Sequence, residues 1–345
     1  MDSLRGAVVG FGKLGLLHAG LLSGLPSSRL TAVVEKSPLI QRVIHQHFPA
    51  VRVFDDVSQL IKSGETDLAV IATPTGSHVE LATLLVDAGI PIFIEKPHAL
   101  NASQAEPLQL ALRRRWVPNM VGYMGRYIET FLHAKQLLDA NVLGPIRLVR
   151  SSMYIEQLLR PGEGWRYDPQ SSGGGVLITQ NSHLIDKLLW LFGDITEVAG
   201  HTTHLVSTQV EDHVHAYFRF RSGATGYLDA SWSVRHFRTP TISIHAQGDN
   251  GTLDVSDDEV RLFLDESQSD LKSGWTKWRV PDLYEPVLID IGGAQYTRQM
   301  SEFLLAVQNT KPCQSDVESA LSTQRVIDAI YDSARSGGAG ISPTR

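Results

Sequence analysis

The segment Gly10-Phe11-Gly12-Lys13-Leu14-Gly15 constrains this chain more than any other. It follows a short apolar run at residues 7–9 and precedes an amphipathic run at 14–22, so it forms the turn of a strand–turn–helix unit. In such a unit the first glycine permits a tight turn, and the second lets backbone approach a ligand closely. The third brings helix against strand, while the helix N-terminus offers unpaired N–H groups to an anion. The spacing alone is common in turns, and its place between strand and helix is what carries the reading. A second strand at residues 30–35 ends in Glu35, where a carboxylate can bind ribose hydroxyls and repel a 2′-phosphate. Together these residues predict a bound dinucleotide, NAD in preference to NADP, with the adjacent Lys36 leaving the phosphorylated form open.

Further apolar runs at 68–72 and 92–95 alternate with helical patterns starting near Pro38 and at 77–87 and 103–115, and 118–122 returns to extended structure. Continuous apolar strands separated by helices predict a parallel sheet covered on both faces. Residues 1–122 are therefore expected to form an α/β Rossmann domain. Beyond Tyr123 a helix at 128–140 leads to a strand at 146–154, and Gly173-Gly174-Gly175 opens a helix ending near Phe192-Gly193. Extended runs follow at 197–205, 213–220, 224–232, 241–247 and 260–264, and helices near 296–308 and 316–334 close the chain. Turn signals at Ser222-Gly223 and Asp249-Asn250-Gly251 separate some of these runs. Residues 123–345 thus read as an α+β domain with a large, mostly antiparallel, open-faced sheet. A chain of 345 residues, 42% hydrophobic, supplies two substantial cores.

Other classes fit poorly. Net charge is −6 and the longest basic run is Arg113-Arg114-Arg115, which is no footprint for nucleic acid. No apolar run is long enough to cross a bilayer. Lys13 and His18 interrupt the first apolar stretch, which reads as mature sequence rather than a secretion signal. Cys313 is the single cysteine, which excludes an intrachain disulfide and suits a reducing cytoplasm. His201, His204, His213 and His215 invite a metal, and the last two share one strand face. They lack the spacing of a ligand set, so no metal is expected and sheet-surface residues are the reading.

Two strand ends carry unusual sequences, Thr73-Pro74-Thr75-Gly76-Ser77-His78 and Glu95-Lys96-Pro97. Ligands of open α/β sheets bind beyond the carboxyl ends of strands. A lysine before proline is held out of helical geometry, which restricts its direction. From there the Lys96 ammonium can hydrogen-bond a substrate hydroxyl and favour the developing alkoxide. The alternative is a surface lysine after an edge turn.

With these residues in hand, the chain resembles the Gfo/Idh/MocA oxidoreductases, which include glucose–fructose oxidoreductase and inositol dehydrogenases. The resemblance runs through the glycine turn, Thr73-Pro74 with His78, Glu95-Lys96-Pro97 and Gly122-Tyr123-Met124-Gly125-Arg126-Tyr127. It continues in Gly173-Gly174-Gly175 with His183 and Asp186, in Glu211-Asp212, and in Tyr331-x-Ser333-Ala334. It implies hydride transfer between nicotinamide and a hydroxyl-bearing carbon of a sugar, nucleotide sugar or cyclitol. Lys96 would contact the reacting hydroxyl and help bind the nicotinamide side, with Thr73, Pro74 and His78 near the nicotinamide ribose. The Lys96–Pro97 bond is a candidate cis peptide. His183 would move the proton. Inositol-dehydrogenase-like members place an aspartate four residues before that histidine, whereas this chain has Thr179. One helical turn would put 179 and 183 on one face. A threonine there can orient a histidine but cannot stabilise an imidazolium as a carboxylate does.

Trp165 and Arg166, within the loop 160–167, can line a sugar pocket or simply pin that loop, and both readings stay open. Tyr123, Arg126, Tyr154, Gln180 and Asn181 are further pocket candidates. The resemblance also implies a homodimer or homotetramer. Two rival functions share the fold: a dinucleotide-binding regulator, and a glycoside hydrolase that retains NAD.

Overall fold

The computed structural model describes residues 3–343, which divide into two units. The first runs to Met124 and takes in Pro286–Leu321, and the second comprises Gly125–Glu285 and the chain from Ser322 onward. The division is therefore not a single cut after residue 122. Residues 286–321 return to the first unit because Val317 N–H donates to Asn119 Oδ1 at 2.8 Å and Val121 N–H donates to the Ser315 carbonyl at 2.7 Å. Phe303 also packs edge-on against Phe93.

In the first unit, β1 (Leu4–Val9), β2 (Ser28–Val34), β3 (Arg52–Phe54), β4 (Leu68–Ile71), β5 (Ile92–Ile94) and β6 (Asn119–Val121) form one sheet in the order 3-2-1-4-5-6. All five neighbour pairs are parallel. The crossovers are α1 (Lys13–Gly24), α2 (Pro38–His47), α3 (Val57–Ser63), α4 (His78–Asp87) and α5 (Glu106–Arg114). β4 and β5 are buried at every position, as apolar runs covered on both faces must be. Such a sheet buries its apolar area from water at roughly 25 cal/mol per Å². Because the strands are parallel, residues following β1, β2, β4, β5 and β6 all lie along one edge. β3 and α3 are short and were not evident in the sequence.

The second unit holds α6 (Glu129–Asp139), β7 (Ile146–Tyr154), α7 (Pro169–Ser172), α8 (Val176–Thr179) and α9 (Ser182–Phe192). Then come β8 (Ile195–Thr203), β9 (His213–Phe220), β10 (Thr225–Ser231), β11 (Thr241–Gly248), β12 (Gly251–Ser256), β13 (Glu259–Leu264) and β14 (Gly274–Arg279). These eight strands order as 14-13-12-11-7-10-9-8, with β7–β10 the one parallel pair. β9 shows the logic: Val214, Ala216, Phe218 and Phe220 are buried, while His215, Tyr217 and Arg219 point outward. α10 (Val280–Leu283) ends this segment, and α11 (Ala294–Asn309) and α12 (Val317–Arg335) follow. Among the described residues no helix is long and apolar enough to cross a membrane.

Candidate active site

The glycine turn follows β1 directly. Gly10 has φ +88°, and a Cβ there would lie 2.7 Å from Thr73 Cγ2. A Cβ on Gly15 would sit 2.0 Å from the Gly10 carbonyl oxygen, so helix and turn touch only because both are glycine. A Cβ on Gly12 would meet nothing within 4 Å, which leaves an open cradle at the helix entrance. No side chain caps α1 and its first turn carries no acid, so its N–H groups and positive dipole end are available to an anion. These residues fit a dinucleotide pyrophosphate. Phe11 is buried against Phe48, Leu14 is half-buried, and Lys13 is exposed beside the cradle.

Glu35 follows β2. Its Oε2 accepts the Phe11 N–H at 2.9 Å and its Oε1 the Ser37 N–H at 2.8 Å. Two backbone donors thus anchor a carboxylate beside the glycine turn, while Lys36 points to solvent. Past β4, Thr73 accepts a hydrogen bond from Ser77 Oγ at 2.8 Å, and Pro74 is exposed. His78 is buried, with Nε2 2.7 Å from the Thr73 carbonyl oxygen and Nδ1 2.9 Å from that of Pro97. Burial lowers its pKa, against the two carbonyls and the charge of Glu95, which favour the imidazolium.

Past β5, the Lys96–Pro97 bond is cis. Glu95 is buried; its Oε1 lies 2.7 Å from His18 Nε2 and its Oε2 accepts the Lys96 N–H at 3.2 Å. Burial raises the Glu95 carboxyl, but the His18 hydrogen bond and the charges of His18 and Lys96 bring it below its ordinary value. Lys96 is half-buried. His98 is fully buried, with neither ring nitrogen hydrogen-bonded among the described residues, and burial with its neighbour His78 pushes it down to about 3. The sequence reading gave neither His18 nor His98 a role. His18 carried one signal, a polar ring three residues past Gly15 within the apolar middle of α1.

In the second unit, Gly174 has φ +151°, and a Cβ on Gly175 would lie 1.8 Å from the Glu211 carbonyl oxygen. The Glu211 side chain accepts the N–H groups of Gly175 and Leu177 at 2.9 and 3.0 Å and the Tyr331 hydroxyl at 2.8 Å. That anchors α8. The expected single helix is broken here, because the Asn181 N–H reaches back to the Val176 carbonyl and α9 starts afresh at Ser182. Thr179 and His183 therefore do not share one continuous helical face. The Thr179 hydroxyl donates to the Gly175 carbonyl at 2.6 Å, and His183 is half-buried on α9.

Gln180 is bonded to Gln157, which in turn donates to the Tyr167 hydroxyl at 3.3 Å. Asn181 is fully buried, and neither amide atom has a hydrogen-bond partner among the described residues. Such a group suits a bound polar ligand or water. Arg126 forms a buried two-pronged pair with Asp186, at 2.9 and 2.6 Å. Tyr154 lies elsewhere, donating at 2.7 Å to Asp229, which also pairs with His213. Trp165 and Arg166 are exposed and stack on each other. Tyr123 is buried in the core of the first unit. Among the described residues no group of three or more histidine, cysteine or acidic side chains could hold a metal ion.

Residues 4–123 match the oxidoreductase family with an NAD-binding Rossmann fold, and residues 131–254 match the GFO/IDH/MocA C-terminal domain. The chain belongs to the Gfo/Idh/MocA family of NAD-binding oxidoreductases. Among the family's curated members, scyllo-inositol 2-dehydrogenase (NAD(+)) of Bacillus subtilis is 27% identical, covering 66% of this chain and 67% of its own length. D-apiose dehydrogenase of Paraburkholderia graminis is 24% identical, covering 96% of this chain and 88% of its own. A levoglucosan dehydrogenase solved in complex with NADH shares the fold, with TM-score 0.88, 20% identity and full coverage of both chains. The motifs of this Gfo/Idh/MocA chain thus divide in two. The glycine turn, Thr73 and Lys96 border the carboxyl edge of the parallel sheet, whereas Gly175, Glu211 and Tyr331 lock the segment that carries Thr179 and His183.

Proposed function

We propose that this chain is an NAD-dependent dehydrogenase acting on a CH–OH carbon of a sugar, nucleotide sugar or cyclitol. The observation that carries the reading is a shared edge. The glycine turn, Glu35 and Lys96 come just after three parallel strands of one sheet, so the proposed phosphate cradle, ribose acceptor and ammonium follow the carboxyl ends of its strands, which supports this reading. When bound, NAD supplies the hydride chemistry.

The rest falls to the chain's own groups. The glycine turn and the α1 N-terminus hold the pyrophosphate, and Glu35 receives ribose hydroxyls. Lys96 donates to the reacting oxygen and stabilises negative charge as the hydroxyl loses its proton. His183 is the proposed acid–base group, on the family resemblance of its segment, and Asn181 and Gln180 are proposed substrate contacts. We further propose a cytoplasmic homo-oligomer associating through the outward face of the eight-stranded sheet. There Tyr217 and Tyr227 pair across strands and stand 41% and 47% exposed.

The decisive experiment is Lys96→Met assayed on a panel of scyllo-inositol, D-apiose and levoglucosan with NAD. NADH binding, followed by fluorescence titration, is retained, while turnover falls by about 10²-fold or more. Turnover equal to wild type rejects the role of Lys96.

A further inference from the structure

We propose that His18 and His78 are positioning residues that fix the backbone on either side of Lys96; this rests on the dehydrogenase reading above. Lys96 stands on an irregular segment after a strand of three residues, β5, so the strand alone cannot aim it. Its alignment must come from neighbouring groups. On the N-terminal side, the Glu95 carboxylate is gripped at both oxygens, by His18 Nε2 at 2.7 Å and by the Lys96 N–H at 3.2 Å. A Cβ on Gly122 would lie 3.0 Å from Glu95 Oε2, so the backbone there closes in on the carboxylate and limits its swing. On the C-terminal side, His78 spans from the Pro97 carbonyl at 2.9 Å to the Thr73 carbonyl at 2.7 Å. The ring is thereby wedged between the segments after β5 and β4, a neutral imidazole donating to one of the two carbonyls and an imidazolium to both.

Both rings are 1% exposed, and burying an imidazole is costly unless its polar atoms are matched. Three of the four ring nitrogens have partners: His18 Nε2 meets Glu95 and His78 Nδ1 meets Pro97, the two residues flanking Lys96, while His78 Nε2 meets Thr73 after β4. His18 Nδ1 is buried with no hydrogen-bond partner among the described residues, so Nε2, facing Glu95, is the atom through which the ring makes its polar contact. The ring also packs tilted against Phe93, with centroids 4.8 Å apart, which restricts its rotation. One histidine from α1 and one from α4 thus bracket the residue that meets the substrate oxygen.

The test compares His18→Leu and His78→Leu, which remove the polar contact, with His18→Gln and His78→Gln, which keep an N–H donor. Turnover on the same panel is measured alongside the ¹³C signal of reductively methylated Lys96 in protein without cofactor, assigned by its loss in Lys96→Arg. The leucine variants are expected to lower kcat by about 10- to 100-fold, with KM and NADH affinity within about threefold of wild type. Their Lys96 signal shifts, and the glutamine variants bring both readouts back toward wild type.

Folded leucine variants with unchanged kcat and an unchanged Lys96 signal overturn the proposal. So do glutamine variants as impaired as the leucine ones, since that marks a packing role. Should a leucine variant fail to fold, Glu95→Gln removes the charge from the same grip while leaving both histidines in the chain, and an unmoved Lys96 signal there overturns the His18 half. If the wild type turns over nothing on the panel while Lys96 still responds to these changes, the dehydrogenase reading fails and the positioning stands.

Discussion

The Thr179 hydroxyl donates to the Gly175 carbonyl 2.6 Å away, so its one proton is committed to its own helical turn. Its oxygen can accept a hydrogen bond, but it carries no charge with which to stabilise an imidazolium. If His183 moves the proton, Thr179→Val leaves kcat within about tenfold of wild type, the range of one ordinary hydrogen bond. Thr179→Asp adds a carboxylate four residues before His183, and pairing of that group with the imidazole would raise the pH of the ascending limb of the kcat profile. Profiles of kcat against pH for both variants decide this. A collapse of turnover in Thr179→Val shows that the threonine itself is required.

Two backbone N–H groups hold the negative Glu35 carboxylate beside the glycine turn. That charge repels a 2′-phosphate. Glu35→Gln keeps the shape and removes the charge, so the NAD-over-NADP preference in kcat/KM falls by roughly tenfold or more. An unchanged ratio shows that selectivity comes from elsewhere.

The sequence reveals most where a local rule and a global need coincide. The glycine turn shows because Gly10 and Gly15 each sit where a Cβ would collide, and β9 shows because one face is buried and the other wet. β14 was not legible: Trp275, Lys277 and Arg279 are exposed, and no position of the strand is fully buried to set a period. The break between α8 and α9 was hidden for the opposite reason, since Leu177, Ile178, Leu184 and Ile185 are all buried and read as one helix. The return of 286–321 rests on bonds such as Asn119 to Val317, between residues 198 apart in the chain. No local pattern announces such a contact. His18 was visible as an anomaly but not as a function, because its meaning depends on Glu95, 77 residues later.

The Arg126–Asp186 pair is buried on both sides, with side chains 5% and 1% exposed. Removing one partner leaves the other charge uncompensated in low dielectric. Arg126→Met is therefore expected to destabilise the second unit by about 3–5 kcal/mol, whereas Arg126→Met combined with Asp186→Leu recovers most of the loss. Tryptophan fluorescence during urea unfolding checks this in the right place, since five of the six tryptophans, all but Trp116, belong to the second unit. A double variant no better than the single one shows that the pair contributes more than charge balance.

Lys187 is 1% exposed on α9, its ammonium 4.0 Å from the centre of the Phe131 ring. Burial lowers its pKa to about 8, with Asp257 and Asp186 opposing the shift. The unfolded chain binds this proton more tightly than the folded one, so between about pH 8 and 10.5 the unfolded state holds more protons and stability rises with pH. Below that window both states are charged and the burial cost is present in full. Lys187→Met keeps the unbranched bulk and removes the charge. It is expected to stabilise the protein at pH 7 by an amount on the order of 1–3 kcal/mol, with the gain shrinking toward pH 10. Thermal melts of both proteins at the two pH values measure it. A variant less stable than wild type at pH 7 shows that the ring contact and the two aspartates outweigh burial, and that this lysine is held in its charged form.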